Sequence, residues 1–63
     1  MENVENKNIS FVVVVIGADH VEATPYWEAE ASRRFDYIAD AVVAFSNKHG
    51  AEIARVIIRP IDS

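Results

Sequence analysis

The sequence contains no cysteine, which excludes disulfide bonds and thiolate zinc sites as supports for the fold. Its two histidines are too few for a structural metal site without carboxylate help, so we expect no metal and no other cofactor. The connection after the first apolar run, residues 17–24, has only one glycine, which excludes a glycine-rich phosphate-binding loop there. A chain of 63 residues without these supports commonly depends on oligomerisation.

Basic residues are also scarce, because six Lys and Arg face ten Asp and Glu and give a formal charge of −4. Nucleic acids and anionic membranes attract basic surfaces, so neither is an expected partner. The apolar run at residues 9–16 is shorter than the roughly 20 residues that span a bilayer. Residues 1–8 lack the basic start of a secretion signal, and we expect a cytoplasmic protein.

The apolar run itself, I-S-F-V-V-V-V-I at residues 9–16, is the most informative segment present. Val and Ile favour β-strands, and a strand with one wet face would alternate polar and apolar residues. A nearly continuous apolar run therefore predicts a strand that is covered on both faces.

A single amphipathic helix is predicted over residues 25–48. Thr24 and Pro25 suit the cap and first position of a helix, and Gly50 after Lys48 and His49 suits its end. At 100° per residue the apolar side chains form one stripe. Its members are Trp27, Ala31, Phe35, Ile38, Ala41, Val42 and Phe45.

A second strand is predicted at residues 52–59, which makes the chain a single β-α-β unit of the α/β class. Residues 1–8 form an expected flexible tail, and residues 9–63 form one small domain. A helix between two strands usually joins parallel neighbours through a right-handed crossover.

One helix covers only one face of the sheet, so we expect a homodimer or higher homo-oligomer. In the expected arrangement the first strand pairs antiparallel with its own copy, and the second copy extends the sheet. Side chains expected at the interface on the uncovered face are Val12, Val14, Ile16, Ile53 and Ile57. Tyr26 and Tyr37 flank the helix stripe and are expected to line a subunit contact.

The connection after the first strand carries the candidate ligand-binding residues. Asp19 and His20 lie there, and in a parallel sheet Arg59 would end nearby. His20 oriented by Asp19 would suit acid–base chemistry or form a weak metal site with it, while Arg55 and Arg59 share a strand face and would hold an anion. The alternatives are a solvated loop, and arginines that pair with acids of a neighbouring subunit or protect an edge strand from aggregation. No catalytic residue is assigned, because no catalytic constellation is present.

Arg34 also stands out, because it lies close to the apolar stripe of the predicted helix. It would either hold an anion or lay its stem along the apolar surface with its head in solvent.

The leading functional hypothesis is a small acidic interaction or regulatory protein that binds itself, or another protein, and has no catalytic activity. The first alternative is an anionic-ligand binder or enzyme with a site at subunit junctions, built from His20, Arg55 and Arg59. The second alternative is an acidic decoy of a nucleic-acid-binding surface, which the scattered acids of the helix favour less.

Overall fold

The computed structural model describes residues 8–50 and 52–61 as three strands and one helix. Strand β1 spans Asn8–Gly17 and β2 spans Val21–Glu30. A short 3-10 turn at Ala31–Arg33 leads into α1, Arg34–His49, and β3 spans Ile53–Pro60. Residues 1–7 of the predicted tail lie outside the described part of the chain, and Asn8 already belongs to β1.

The sheet has the order β2-β1-β3, and both neighbours run antiparallel to β1. The protein is thus a small α/β domain of three antiparallel strands with one helix. A strand–helix–strand unit is present as β2–α1–β3, with β1 inserted between its two strands. The expected parallel pairing of residues 9–16 with residues 52–59 is wrong, since Val14 lies opposite Ile57 in an antiparallel register.

The physical reason is a tight turn at residues 17–20, which the local sequence pattern did not predict. The Gly17 amide donates a hydrogen bond to the carbonyl of His20 at 2.8 Å, which returns the chain along β1 as a hairpin. A hairpin needs only a few residues between antiparallel strands. The helix therefore follows β2 and not β1. It connects β2 to β3 across β1, which lies between these two strands in the sheet.

The helix begins at Arg34 and not at Pro25, so the predicted range 25–48 is wrong in its first part. Pro25 lies in β2 opposite Val12, and Thr24 lies opposite Val13. Proline has no N–H to donate to a neighbouring strand. Because β2 is an edge strand with a neighbour on one side only, a proline there costs the sheet little. The predicted end is confirmed, because Gly50 adopts φ 61° and its amide donates to the Ser46 carbonyl at 2.8 Å.

A β-bulge near the end of the hairpin redirects the chain toward the helix. Ser10 lies opposite both Trp27 and Glu28, since Phe11 pairs with Tyr26 and Ile9 pairs with Ala29. Glu28 has a positive φ of 50°, and its amide donates to Ser10 Oγ at 3.0 Å. An extra residue on one strand bends and twists that strand, which explains the exit toward α1.

The core lies between the helix and one face of the sheet. The five buried apolar side chains are Phe11, Val13, Val15, Ala41 and Phe45. The helix stripe is confirmed for Ala41 and Phe45, with Ile38 and Val42 packed beside them. It is wrong for Trp27 and Phe35, which are 64% and 78% exposed. No helix among the described residues is long and apolar enough to cross a membrane.

Candidate functional site

The face of the sheet that points away from α1 is the largest candidate surface, and we call it the open face. Residues paired directly across antiparallel strands share a face, and neighbours along a strand alternate between faces. The register, extended by this alternation to Trp27, places these ten apolar and basic side chains on the open face: Val12, Val14, Ile16, Val21, Ala23, Pro25, Trp27, Arg55, Ile57 and Arg59.

Eight of these ten side chains are apolar, and no element among the described residues covers them. Val21 is 63% exposed and Trp27 is 64% exposed, whereas Val12, Val14 and Ile16 on the central strand are half-buried by their neighbours. The Val and Ile residues of the central strand thus point to both faces, but among the described residues only the face toward α1 is covered by another element.

Ile53 differs from its expected position on the uncovered face. A register irregularity follows Ile16, which lies opposite Arg55, so that Gly17 lies opposite Ile53. The shift reverses the alternation of β3 at this end, and Ile53 packs against the core cluster beneath the helix. Ile57, by contrast, lies opposite Val14 on the open face, where it was expected.

Tyr26 and Tyr37 pack inside the subunit, on the helix side of the sheet. Their ring centroids lie 5.4 Å and 6.2 Å from that of Phe11, and Tyr26 Oη donates to the Tyr37 carbonyl at 3.2 Å. Partial burial, with a smaller contribution from the negative charge of Asp40, raises the pKa of Tyr26 above its usual value. These contacts place both tyrosines away from the open face.

The structure does not bring His20, Arg55 and Arg59 together. Arg59 lies opposite Val12, five strand positions from Gly17 and so about 16 Å from the hairpin turn that carries His20. The expected proximity assumed a parallel sheet, whereas antiparallel β3 carries its carboxyl end away from that turn. Arg55 and Arg59 do share a face, as predicted, and it is the open face.

A second cluster joins the hairpin turn to the carboxyl end of α1. His49 Nε2 lies 2.9 Å from Glu22 Oε2, and Lys48 Nζ lies 3.0 Å from the same oxygen. The ring of His20 stacks on that of His49 with a centroid separation of 4.0 Å. Sequence reasoning singled out His20 but did not connect it to His49, since these residues lie on different elements and no local pattern links them.

The electrostatics of this cluster centre on Glu22. The hydrogen bond from His49 lowers the pKa of the Glu22 carboxyl most, and the hydrogen bond and charge of Lys48 lower it further. A cavity of about 50 Å³ beside Glu22 and Lys48 has room for little more than water. The cluster therefore joins β2 to α1 through polar contacts.

Asp19, the predicted orienting residue for His20, is exposed in the turn. Within residues 8–50 and 52–61, no group of three or more His, Cys, Asp and Glu side chains is arranged to hold a metal ion. The contacts of Glu22 with Lys48 and His49 join β2 to α1, and His20 stacks on His49 beside them.

Comparison of the chain with protein-family models, with curated proteins and with solved structures finds no match.

Proposed function

We propose that this protein is a self-associating interaction module and that a second copy covers the open face. The observation that carries the proposal is the exposure of Val21 and Trp27 beside three outward-facing aliphatic side chains of the central strand. Exposed apolar surface of this kind is costly in water, and its burial is the main driving force of protein association.

The size of the open face fits such a role. Three strands spaced by about 4.8 Å, each about seven residues long, cover a planar area of roughly 300 Å². The accessible surface is larger, because the side chains project from this plane. Apolar patches of this size on monomers are often interaction sites, and stable dimers bury about 800 Å² per partner. We therefore expect a dimer that dissociates on dilution, unless further contacts add to the interface.

Stacking of two open faces agrees better with the strand order than does extension of the sheet through β1. Both edges of β1 are already occupied by β2 and β3, so the first strand cannot pair with its own copy as expected from the sequence. Extension by a second copy would have to use the outer edge of β3 or of β2.

Arg55 and Arg59 disfavour the most symmetric pairing at the β3 edge. If two β3 strands paired antiparallel about Ile57, each Arg55 would lie directly opposite an Arg59, with like charges in contact on both sides of the axis. Charged residues on an edge strand are a common means of preventing this type of pairing. Face-to-face stacking avoids the repulsion, because the arginines then sit at the margin of the interface.

Stacking about a two-fold axis parallel to the strands would place β2 of each copy across β3 of the other. The indole of Trp27 would then approach the arginines of the second copy, since Trp27 and Arg59 lie toward the same end of the sheet. A guanidinium over an indole face is a favourable cation–π contact.

The two other functions considered for this sequence are less well supported. A junction site of His20, Arg55 and Arg59 would need residues that lie at opposite ends of the sheet to meet across copies. An acidic decoy would need a continuous negative surface, yet Glu22 is already paired with Lys48 and His49 within the chain.

Light scattering across a dilution series tests the proposal, with Val14→Asp as the disrupting variant. Wild type should be multimeric at high concentration, and Val14→Asp should be monomeric while keeping the circular dichroism of a folded protein. The matched control is Val43→Asp, the same change at a helix position that is 56% exposed and not on the open face. A wild type that stays monomeric at high concentration, or two variants that dissociate alike, would contradict the proposal.

Trp27 provides an independent readout, because it is the only tryptophan of the chain. Its emission should shift to the red on dilution as the indole becomes exposed to water, and Val14→Asp should show the shifted spectrum at every concentration. An emission spectrum that does not change while the mass falls would place Trp27 outside the interface.

A further inference from the structure

A second surface lies on the helix side of the sheet, away from the open face. It is a cavity of about 420 Å³ between the amino end of α1 and the adjoining ends of β1 and β3. Its lining consists of Ile9, Ser10, Phe11, Arg34, Ile58 and Pro60. Ile58 lies opposite buried Val13 and Pro60 lies opposite buried Phe11, which puts the cavity on the same side as the core.

The cavity exists because α1 covers β1 and β2 but, on the helix side of β3, leaves Val56 and Ile58 uncovered. Val56 and Ile58 both point to that side and are exposed. The sheet surface next to the start of the helix is therefore apolar and exposed. It lies on the opposite side of the sheet from the open face, so a contact there would not involve the open face.

Positive charge borders this apolar space at one place. Arg34 is the first residue of α1, where the helix dipole adds partial positive charge, and no side chain caps that end. Neighbouring Arg33 is paired with Asp36 at 3.3 Å, whereas no described carboxylate lies within 4.0 Å of Arg34. Arg34 thus offers a guanidinium to an anion at the edge of an apolar cavity.

We propose that the cavity binds a small amphipathic monocarboxylate, with its carboxylate on Arg34 and its apolar body against Ile9, Phe11, Ile58 and Pro60. The volume lies within the range of small-molecule sites, which are mostly apolar with a few orienting polar groups. A guanidinium binds a carboxylate through two parallel hydrogen bonds. A phosphate dianion fits less well, because a single arginine would leave part of its charge desolvated and unpaired.

The test is an NMR titration of the isotopically labelled protein with two probes, 4-phenylbutyrate and its neutral amide, 4-phenylbutyramide. The acid should shift the backbone amides of Ile9, Phe11 and Ile58 and should bind at least about tenfold more tightly than the amide, as expected for a charge-assisted hydrogen bond. Equal binding of the two probes would overturn the proposal. So would shifts confined to the open face, or no shift up to about 10 mM acid, where even weak specific binding is visible.

Arg34→Met and Arg33→Met form a matched pair of variants for the same titration. Each keeps a long unbranched stem at the start of the helix, but only Arg34 borders the cavity. Arg34→Met should lose the preference for the acid over the amide, and Arg33→Met should keep it. The comparison of acid with amide on wild type stands even if a variant fails to fold, and a preference that survives in Arg34→Met would overturn the assignment of the anion to Arg34.

Discussion

The ring of Phe45 occupies the space that a side chain on Gly17 would need. A Cβ added to Gly17 would lie 2.9 Å from Phe45 Cζ and 3.0 Å from the Glu52 carbonyl oxygen. The close approach of β1 to the last turn of α1 therefore requires glycine at this position. It also explains why the apolar run ends there, one residue before the hairpin turn.

Gly17→Ala should therefore destabilise the protein by about 1–3 kcal/mol, the usual cost of overpacking a core. Urea unfolding followed by circular dichroism measures it. In a Phe45→Leu background the additional cost should be smaller, because the shorter side chain vacates part of the space, although the Glu52 carbonyl remains. Strict additivity of the two substitutions would show that the ring is not the obstacle.

Phe45 and Phe35 lie on the same helix and should differ sharply when replaced by alanine. Phe45 is buried among the core residues, so Phe45→Ala should cost about 3–5 kcal/mol, as much as a domain of this size contains. Phe35 is 78% exposed, and Phe35→Ala should change the free energy of unfolding by no more than about 0.5 kcal/mol. Thermal unfolding of the two variants checks this, and a large loss for Phe35→Ala would mean that another surface covers the helix.

Glu22 should make stability depend on pH in the acid range. Its folded-state pKa is lowered from the reference value of 4.5, so its contribution is complete above that value and is lost as pH falls through the folded-state pKa. The free energy of unfolding of wild type should decline more steeply below pH 4.5 than that of Glu22→Gln.

Lys48→Met provides the intermediate case for this pH dependence, because it removes one of the two side chains that bind Glu22 and leaves the His49 contact. Its profile should lie between those of wild type and Glu22→Gln. Denaturant unfolding between neutral pH and pH 3 measures all three. Parallel profiles would contradict the proposed role of the Glu22 cluster.

The sequence predicted those elements that depend only on residues close together in the chain. The Val and Ile run indicated a strand, and Gly50 after His49 indicated the end of the helix. Both are confirmed because a strand face repeats every two residues, and because a helix end needs a residue that tolerates positive φ. The buried positions Ala41 and Phe45 follow from the helical period for the same reason.

The start of the helix was not predictable in this way, because Thr24–Pro25 suits a helix cap and an edge strand equally well. Which one forms depends on whether Pro25 finds a partner strand on only one side, and that is a property of the whole sheet. Val21, Ala23, Pro25 and Trp27 then lie on the open face, so the apolar surface left exposed is larger than the sequence suggested.

The sequence by itself determined that this acidic chain has a central strand with two apolar faces and one helix to cover them. Only the tertiary structure decided that β2 follows in a hairpin, that β3 runs antiparallel to β1, and that Glu22 meets His49. Strand direction and such distant contacts depend on a short turn and on which sheet edge stays free. Those choices are settled by how the whole chain packs, since the residues involved lie far apart in the sequence.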